Sequence, residues 1–239
     1  MDPADLLDVV AREAAAFAEA LRSTDAGVPV AGCPGWSLAD LGRHLGGVHR
    51  WARAALGTEP SDEPPREGPS SPADDADLPA WIAEGAAELV GALRDADPDR
   101  PCWTMAPPAT ARFWLRRQAH ETTLHRWDAQ QCLGAATPIA GDVALDALDE
   151  SIAMLLPRQV RLGRLPKASE VIHLVAGDTR FVITSDDRRP DAPPLAVVSG
   201  APDTLLLLLW GRLGPDDERV HVDGDVETTR ALLHRPLTP

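Results

Sequence analysis

An all-α four-helix bundle followed by a small α+β domain is the fold this sequence predicts. Four amphipathic helical segments, joined by two long connections, fill roughly the first 135 residues. Beyond Gly134 the texture changes to short β-rich runs alternating with helical ones, the pattern of an α+β unit. The expected boundary falls near Ala136 to Gly141, giving a bundle over 1–138 and a second domain over 139–239.

Asp5 to Leu21 forms the first helix, because Leu6, Val10, Ala14, Phe17 and Leu21 recur at steps of three and four residues and make one apolar stripe. Ser23 to Trp36, punctuated by Gly27, Pro29, Gly32, Pro34 and Gly35, reads as a loop. Ser37 with Asp40 is a capping-box pattern that opens the second helix, which runs to about Leu56. In it Leu38, Leu41, His44 or Leu45, Val48, Trp51 and Ala55 keep the helical period, with His44 on or beside the buried stripe. His49 lies about 140° around the axis from His44 and is expected off that stripe.

Gly57 to Asp77 is rich in Pro, Ser and acidic residues and reads as an exposed loop. Leu78 to Leu93 is the third helix, with Trp81, Ile82, Ala86, Leu89 and Leu93 inward. After a Pro-rich connection the fourth spans about Thr110 to Leu133. In the second domain Asp142 to Leu156 is helical, and Val171–Val175, Arg180–Thr184 and Leu195–Ser199 are strands separated by Gly177-Asp178 and by Asp186 to Pro194. Ala201–Leu213 reads as a buried helix, Arg219–Val222 as a strand and Val226–His234 as a closing helix.

The chain carries 44% hydrophobic and 25% charged residues, the proportions of a globular protein with a proper core. Its net charge of −14 argues against nucleic acid and anionic membrane as partners, since positive charge is nowhere concentrated. The acidic start and the short Leu205–Trp210 apolar run give neither a signal peptide nor a membrane span. Three cysteines (Cys33, Cys102 and Cys132) without paired spacing fit a reducing cytoplasm. No Gly-x-Ser-x-Gly elbow, phosphate-binding loop or dinucleotide fingerprint is present.

The stretch that carries chemistry is His120-Glu121-Thr122-Thr123-Leu124-His125-Arg126-Trp127-Asp128. Glu121 and His125 differ by about 40° around a helix axis, so they share a face one turn apart and can hold one divalent cation. His120 and His125 differ by about 140°, which excludes the two-histidine pattern of zinc-protease helices. The pair needs a third ligand. His44 is a candidate, and a hydrogen-bonded core histidine is the other reading of that residue. Two imidazoles and one carboxylate would suit Zn²⁺ best and leave a position open for a thiol or for water. Asp128 sits on nearly the same face as His125, a catalytic candidate that orients a ligand imidazole or accepts a substrate proton, with a solvated or Arg-paired carboxylate as the other reading. Arg117, four before Glu121, reads as a partner supporting a metal-ligating Glu121 or as a plain intrahelical ion pair, the spacing favouring the latter. Cys33 reads as a small buried hydrophobe near a turn or as a reactive thiol.

Two stretches, Cys33-Pro34-Gly35-Trp36-Ser37-Leu38-Ala39-Asp40-Leu41-Gly42-Arg43-His44-Leu45 and His120 to Ala129, resemble the mycothiol-dependent maleylpyruvate isomerase family. The tail is similar too, in Ala201-Pro202-Asp203-Thr204-Leu205, Leu209-Trp210-Gly211-Arg212 and Val222-Asp223-Gly224-Asp225. The resemblance implies a DinB-like metal-binding bundle, a sterol-carrier-like C-terminal domain, and His44, Glu121 and His125 as the metal ligands. It implies mycothiol as the thiol cofactor and an anion-binding arginine in the C-terminal domain, for which Arg212 is the candidate; Arg126 and the Arg116-Arg117 pair are the other positive groups available to an anionic substrate.

The function expected is that of a cytoplasmic, metal-dependent, mycothiol-using isomerase or S-transferase, monomeric or homodimeric, acting on a small electrophile. The alternatives are a non-catalytic metal- or ligand-binding regulator and a metal hydrolase using bound hydroxide.

Overall fold

The computed structural model describes residues 1–65, 70–167, 170–184 and 193–238. Part of the Gly57–Asp77 loop (66–69) and most of the Asp186–Pro194 connection (185–192) lie outside the described residues. The chain divides into two compact units, Met1–Pro138 and Ile139–Pro239. None of the described helices is long and apolar enough to cross a membrane.

The first unit is an all-α bundle of α1 (Pro3–Arg22), α2 (Leu38–Ala55), α3 (Leu78–Asp95) and α4 (Ala111–Gln131). Helix α2 starts where the sequence says it should. The Ser37 hydroxyl accepts from the Asp40 N–H at 3.1 Å, and the Asp40 carboxylate accepts from the Ser37 N–H at 2.9 Å. Such a cap is worth about 1 kcal/mol of helix stability. In the preceding turn Gly35 takes φ +87°, a conformation that an L side chain resists.

Phe17, Leu21, Leu38, Leu41, Leu45, Leu78 and Ile82 make one continuous buried cluster from α1, α2 and α3. Helices α2 and α3 approach closely because Gly46 and Gly85 lack side chains. A Cβ on Gly46 would stand 2.1 Å from the Trp81 ring, and one on Gly85 2.4 Å from Arg50 Nη1. The Arg50 guanidinium lies 4.0 Å over the Trp81 ring and donates to the Gly46 and Trp81 carbonyls. Helix α4 is anchored to α1 by a buried ion pair, Arg126 Nε to Glu13 Oε2 at 2.5 Å.

One sequence expectation is overturned on α2. His49 is fully buried, not displaced from the core face. The buried row is Leu38, Leu41, Leu45, His49 and Ala52, one position out of step with the His44–Val48–Trp51 row. Packed against both α3 and α4, the helix buries both rows in part.

The second unit is α+β. Helix α5 (Gly141–Glu150) runs through a wider π turn, Ser151–Leu155, into α6 (Leu156–Arg161). Four strands, β1 (Ile172–Ala176), β2 (Thr179–Ile183), β3 (Ala196–Gly200) and β4 (His221–Gly224), form one sheet in the order β2-β1-β3-β4. The β1–β2 and β3–β4 pairs are antiparallel, whereas β1 and β3 run parallel. Helix α7 (Pro202–Leu209) buries its run of five leucines, and α8 (Val226–Leu233) closes the unit. The expected Ala201–Leu213 helix stops at Leu209 because Gly211, at φ +67°, turns the chain out of it.

Candidate metal centre

Helix α4 presents Glu121 and His125 one turn apart, and Glu121 Oε1 lies 3.1 Å from His125 Nε2. From α2, His44 Nε2 reaches the same oxygen at 3.1 Å. The other carboxylate oxygen of Glu121 accepts from Arg117 Nη2, so the intrahelical ion pair suggested by the spacing is formed. The imidazoles of His44 and His125 meet edge to face with centroids 5.1 Å apart, and Trp36 packs against His44 at 4.9 Å. Sequence reasoning had assigned no role to Trp36 in holding the His44 ring.

Exposure is graded across the cluster. The side chain of His44 is 33% exposed, that of Glu121 14%, that of His125 7% and that of Asp128 0%. Asp128 Oδ2 lies 3.1 Å from His125 Nδ1, so the carboxylate orients the imidazole. The same oxygen lies 3.9 Å from Cys33 Sγ. Cys33 is half-buried where the loop before α2 meets α4, a position nothing in its own stretch of sequence revealed.

Electrostatics lock the arrangement. Burial works against the Glu121 anion, but Arg117 and His125 outweigh it and hold the carboxyl well below its ordinary range. Burial likewise works against a charged His125, and Glu121 together with the Asp128 hydrogen bond overcomes it, pushing the ring up to about 9. The raised value favours the imidazolium, with one ring N–H directed at each carboxylate.

The donor set suits a divalent cation. His44 Nε2, Glu121 Oε1 and His125 Nε2 lie within 4.8 Å of one another, and two nitrogens with one carboxylate oxygen is the ligand chemistry of open-position zinc sites. Two imidazoles converging on one carboxylate oxygen is the arrangement a cation would replace. Cys33, His125 and Asp128 form a second such group, in which His125 Nδ1 lies 3.1 Å from Asp128 Oδ2. His120 is buried and belongs to neither group.

The remaining candidates fall elsewhere. Arg126 was expected among anion-binding groups; instead it is 3% exposed and tied to Glu13, to Gln130 Oε1 at 3.0 Å and to the Thr137 carbonyl at 2.6 Å. Arginine is favoured for such bonding because its planar fork of donors satisfies several acceptors at once. Its place is structural, joining α1 to the end of α4. Arg212 belongs to the second unit, where Nη1 donates to the Trp210 carbonyl at 2.8 Å and the guanidinium lies 5.8 Å from the Trp210 ring. Trp114 is fully buried beside Trp51 and Trp103 and belongs to the core.

Comparison with known proteins gives a consistent picture. Residues 3–130 match the family described as the mycothiol maleylpyruvate isomerase N-terminal domain, and residues 142–231 match the corresponding C-terminal domain. Among solved structures, a mycothiol-dependent maleylpyruvate isomerase matches with a TM-score of 0.66 at 16% identity, covering 100% of this chain and 97% of that one. A histidine-to-alanine mutant of a mycothiol-dependent maleylpyruvate isomerase matches at 0.69 and 15%, with the same coverage. At such identities the likeness is one of fold. No curated protein matches the sequence.

Proposed function

Because the chain belongs to the mycothiol maleylpyruvate isomerase family, we propose that it is a metal-dependent enzyme that uses mycothiol to isomerise a small electrophilic substrate. The observation that carries this reading is the convergence of His44, Glu121 and His125 on one point with Asp128 behind the deeper imidazole.

In this reading His44 Nε2, Glu121 Oε1 and His125 Nε2 hold the cation. Arg117 keeps the Glu121 carboxylate ionised and in one rotamer, and Asp128 holds the Nδ1 proton of His125 so that Nε2 is the nitrogen turned to the ion. A divalent cation bound there lowers the pKa of a thiol or water that approaches it, which makes a strong nucleophile available at neutral pH. The partly exposed His44 marks the side open to a ligand, while the buried Asp128 and His125 lie away from bulk solvent. Zinc is the cation the donors favour.

Isomerisation by this route would have the thiol add to an activated double bond, permit rotation about the resulting single bond, and leave again. Transfer of the thiol to the electrophile is the second reading. One observation favours it: within the first unit Arg117 and Arg126 are committed to Glu121 and Glu13, so neither recommends a dianionic substrate.

The test is metal analysis of purified protein followed by turnover of maleylpyruvate with and without mycothiol. The reading expects one equivalent of divalent metal, thiol-dependent activity, and loss of both in His125→Ala. Full metal occupancy with no response to any low-molecular-weight thiol would overturn the mechanism and leave the fold untouched. A uniform loss of rate with retained thiol conjugation would select transfer over isomerisation.

A further inference from the structure

Behind the metal cluster, α2 and α4 run antiparallel and meet in three successive layers. The first is His44 against Glu121 and His125. The second is His49 against Thr122, joined by His49 Nε2 and Thr122 Oγ1 at 3.0 Å. The third is aromatic, Trp51 against Trp114 with centroids 5.1 Å apart and Trp103 beside both. Gln118 lies one turn before Thr122, about 40° around the helix from it, and so faces the same middle layer.

That layer is polar, enclosed, and incompletely bonded by protein. His49, Gln118 and Thr122 are each 0% exposed. His49 Nδ1, Gln118 Nε2 and Gln118 Oε1 have no hydrogen-bond partner among the described residues. Exchanging the amide ends of Gln118 cures nothing, since both atoms are unmatched. Buried polar atoms in folded proteins are nearly always bonded, and each one left unmatched opposes folding. Here three belong to two residues, His49 on α2 and Gln118 on α4, of the helices that the His49–Thr122 contact joins. A buried water typically makes about three hydrogen bonds to polar groups of this kind. One of these atoms donates, one accepts, and His49 Nδ1 does either according to tautomer.

We propose that His49, Thr122 and Gln118 form an internal hydration site, in which buried water is bonded to His49 Nδ1 and to the side-chain amide of Gln118. The site keeps the floor beneath Glu121 polar and separates the ionised cluster from the tryptophan layer. It holds His49 uncharged, in keeping with burial, which depresses that ring to about 3. This site stands whether or not the metal centre works as proposed above.

A high-resolution crystal structure of the full chain tests it directly. Ordered water is expected within hydrogen-bond distance of both the Gln118 amide and His49 Nδ1. Protein groups bonding those atoms directly, or a dry contact, would overturn the proposal. An independent arm is the thermal midpoint of Gln118→Leu, a substitution that keeps most of the volume and removes the amide. A bonded amide predicts a midpoint lower by about 2–4 °C or more. An unbonded one predicts a midpoint unchanged or higher, because a desolvated polar group has been taken away, and that result would sink the idea. Should Gln118→Leu fail to fold, the water positions in the unaltered protein decide.

Discussion

Asp128 Oδ2 stands 3.1 Å from His125 Nδ1, while Nε2 of the same ring stands 3.1 Å from Glu121. Each nitrogen thus has a carboxylate of its own, and the two have different work. Asp128, 0% exposed, determines the orientation of the ring; Glu121 shares with it the point on which His44 also converges.

Replacing Asp128 by Asn removes the charge that holds the Nδ1 proton and leaves the three proposed ligands in place. Metal affinity is expected to fall about 10–100-fold. Competition against a chelator of known affinity measures it. Unchanged affinity in Asp128→Asn would show that His125 is oriented by packing alone.

The imidazolium at His125 makes metal binding a competition with protons. The ring is raised to about 9 in the metal-free protein, so a cation binding at pH 7 must displace close to one proton from it. Apparent affinity is therefore expected to rise nearly tenfold per pH unit up to about 9 and to level off above. For the metal-free fold the sign is the reverse. The raised value stabilises fully below the unfolded-state pKa of about 6.5, and that contribution is lost as pH climbs through 9. Calorimetry in buffers of different ionisation enthalpy counts the released proton.

His49 makes the opposite contribution. Burial holds it neutral to about pH 3, whereas in the unfolded chain it protonates near 6.5. Between those values the unfolded state binds the extra proton, so stability is complete above 6.5 and falls as the pH drops toward 3, by up to about 1.4 kcal/mol per unit. Denaturant melts at pH 7, 5.5 and 4.5 should show a steeper decline in the unaltered protein than in His49→Gln. Parallel declines would mean that His49 is accessible to protons in the folded state.

The Glu13–Arg126 pair allows a stability test of the place given to Arg126. Glu13→Ala strands a buried guanidinium and is expected to cost about 3–5 kcal/mol, whereas Glu13→Leu with Arg126→Met should cost much less than the sum of the single changes. Chemical denaturation of the three variants supplies the cycle. Additive costs would release Arg126 from its structural role and return it to the candidates for ligand binding.

Gly46→Ala probes the α2–α3 contact. The added carbon would meet the Trp81 ring, so the indole and the Arg50 guanidinium stacked on it must shift together. Overpacking of this kind costs about 1–3 kcal/mol. Thermal unfolding, followed with Trp fluorescence, reads both the loss and the displaced indole.

Much of this was legible in the chain. The helical periods placed α1 to α4 within a few residues, and Ser37 with Asp40 marked the start of α2 because a cap is a local interaction. The Glu121–His125 partnership followed from helix arithmetic, as did the ion pair from Arg117 to Glu121. His49 was misplaced for an equally definite reason. Periodicity assumes one buried face, and α2 packs against two helices, so the row through Leu45 and His49 is buried as well. The tie from Arg126 to Glu13 was not legible, because Glu13 lies far away in sequence, on another helix.

What the amino-acid order determined by itself is whatever a single helix can impose: which residues share a face, where a helix is capped, and that Glu121 and His125 stand one turn apart. The tertiary structure decided the rest. The approach of His44 to that pair, the contact of Cys33 with Asp128 and the closed layer of His49, Thr122 and Gln118 join groups separated by roughly 70 to 95 positions. Side-chain direction within one helix is set by its 3.6-residue turn, but the approach of two helices depends on how whole faces fit together, and no local spacing encodes that.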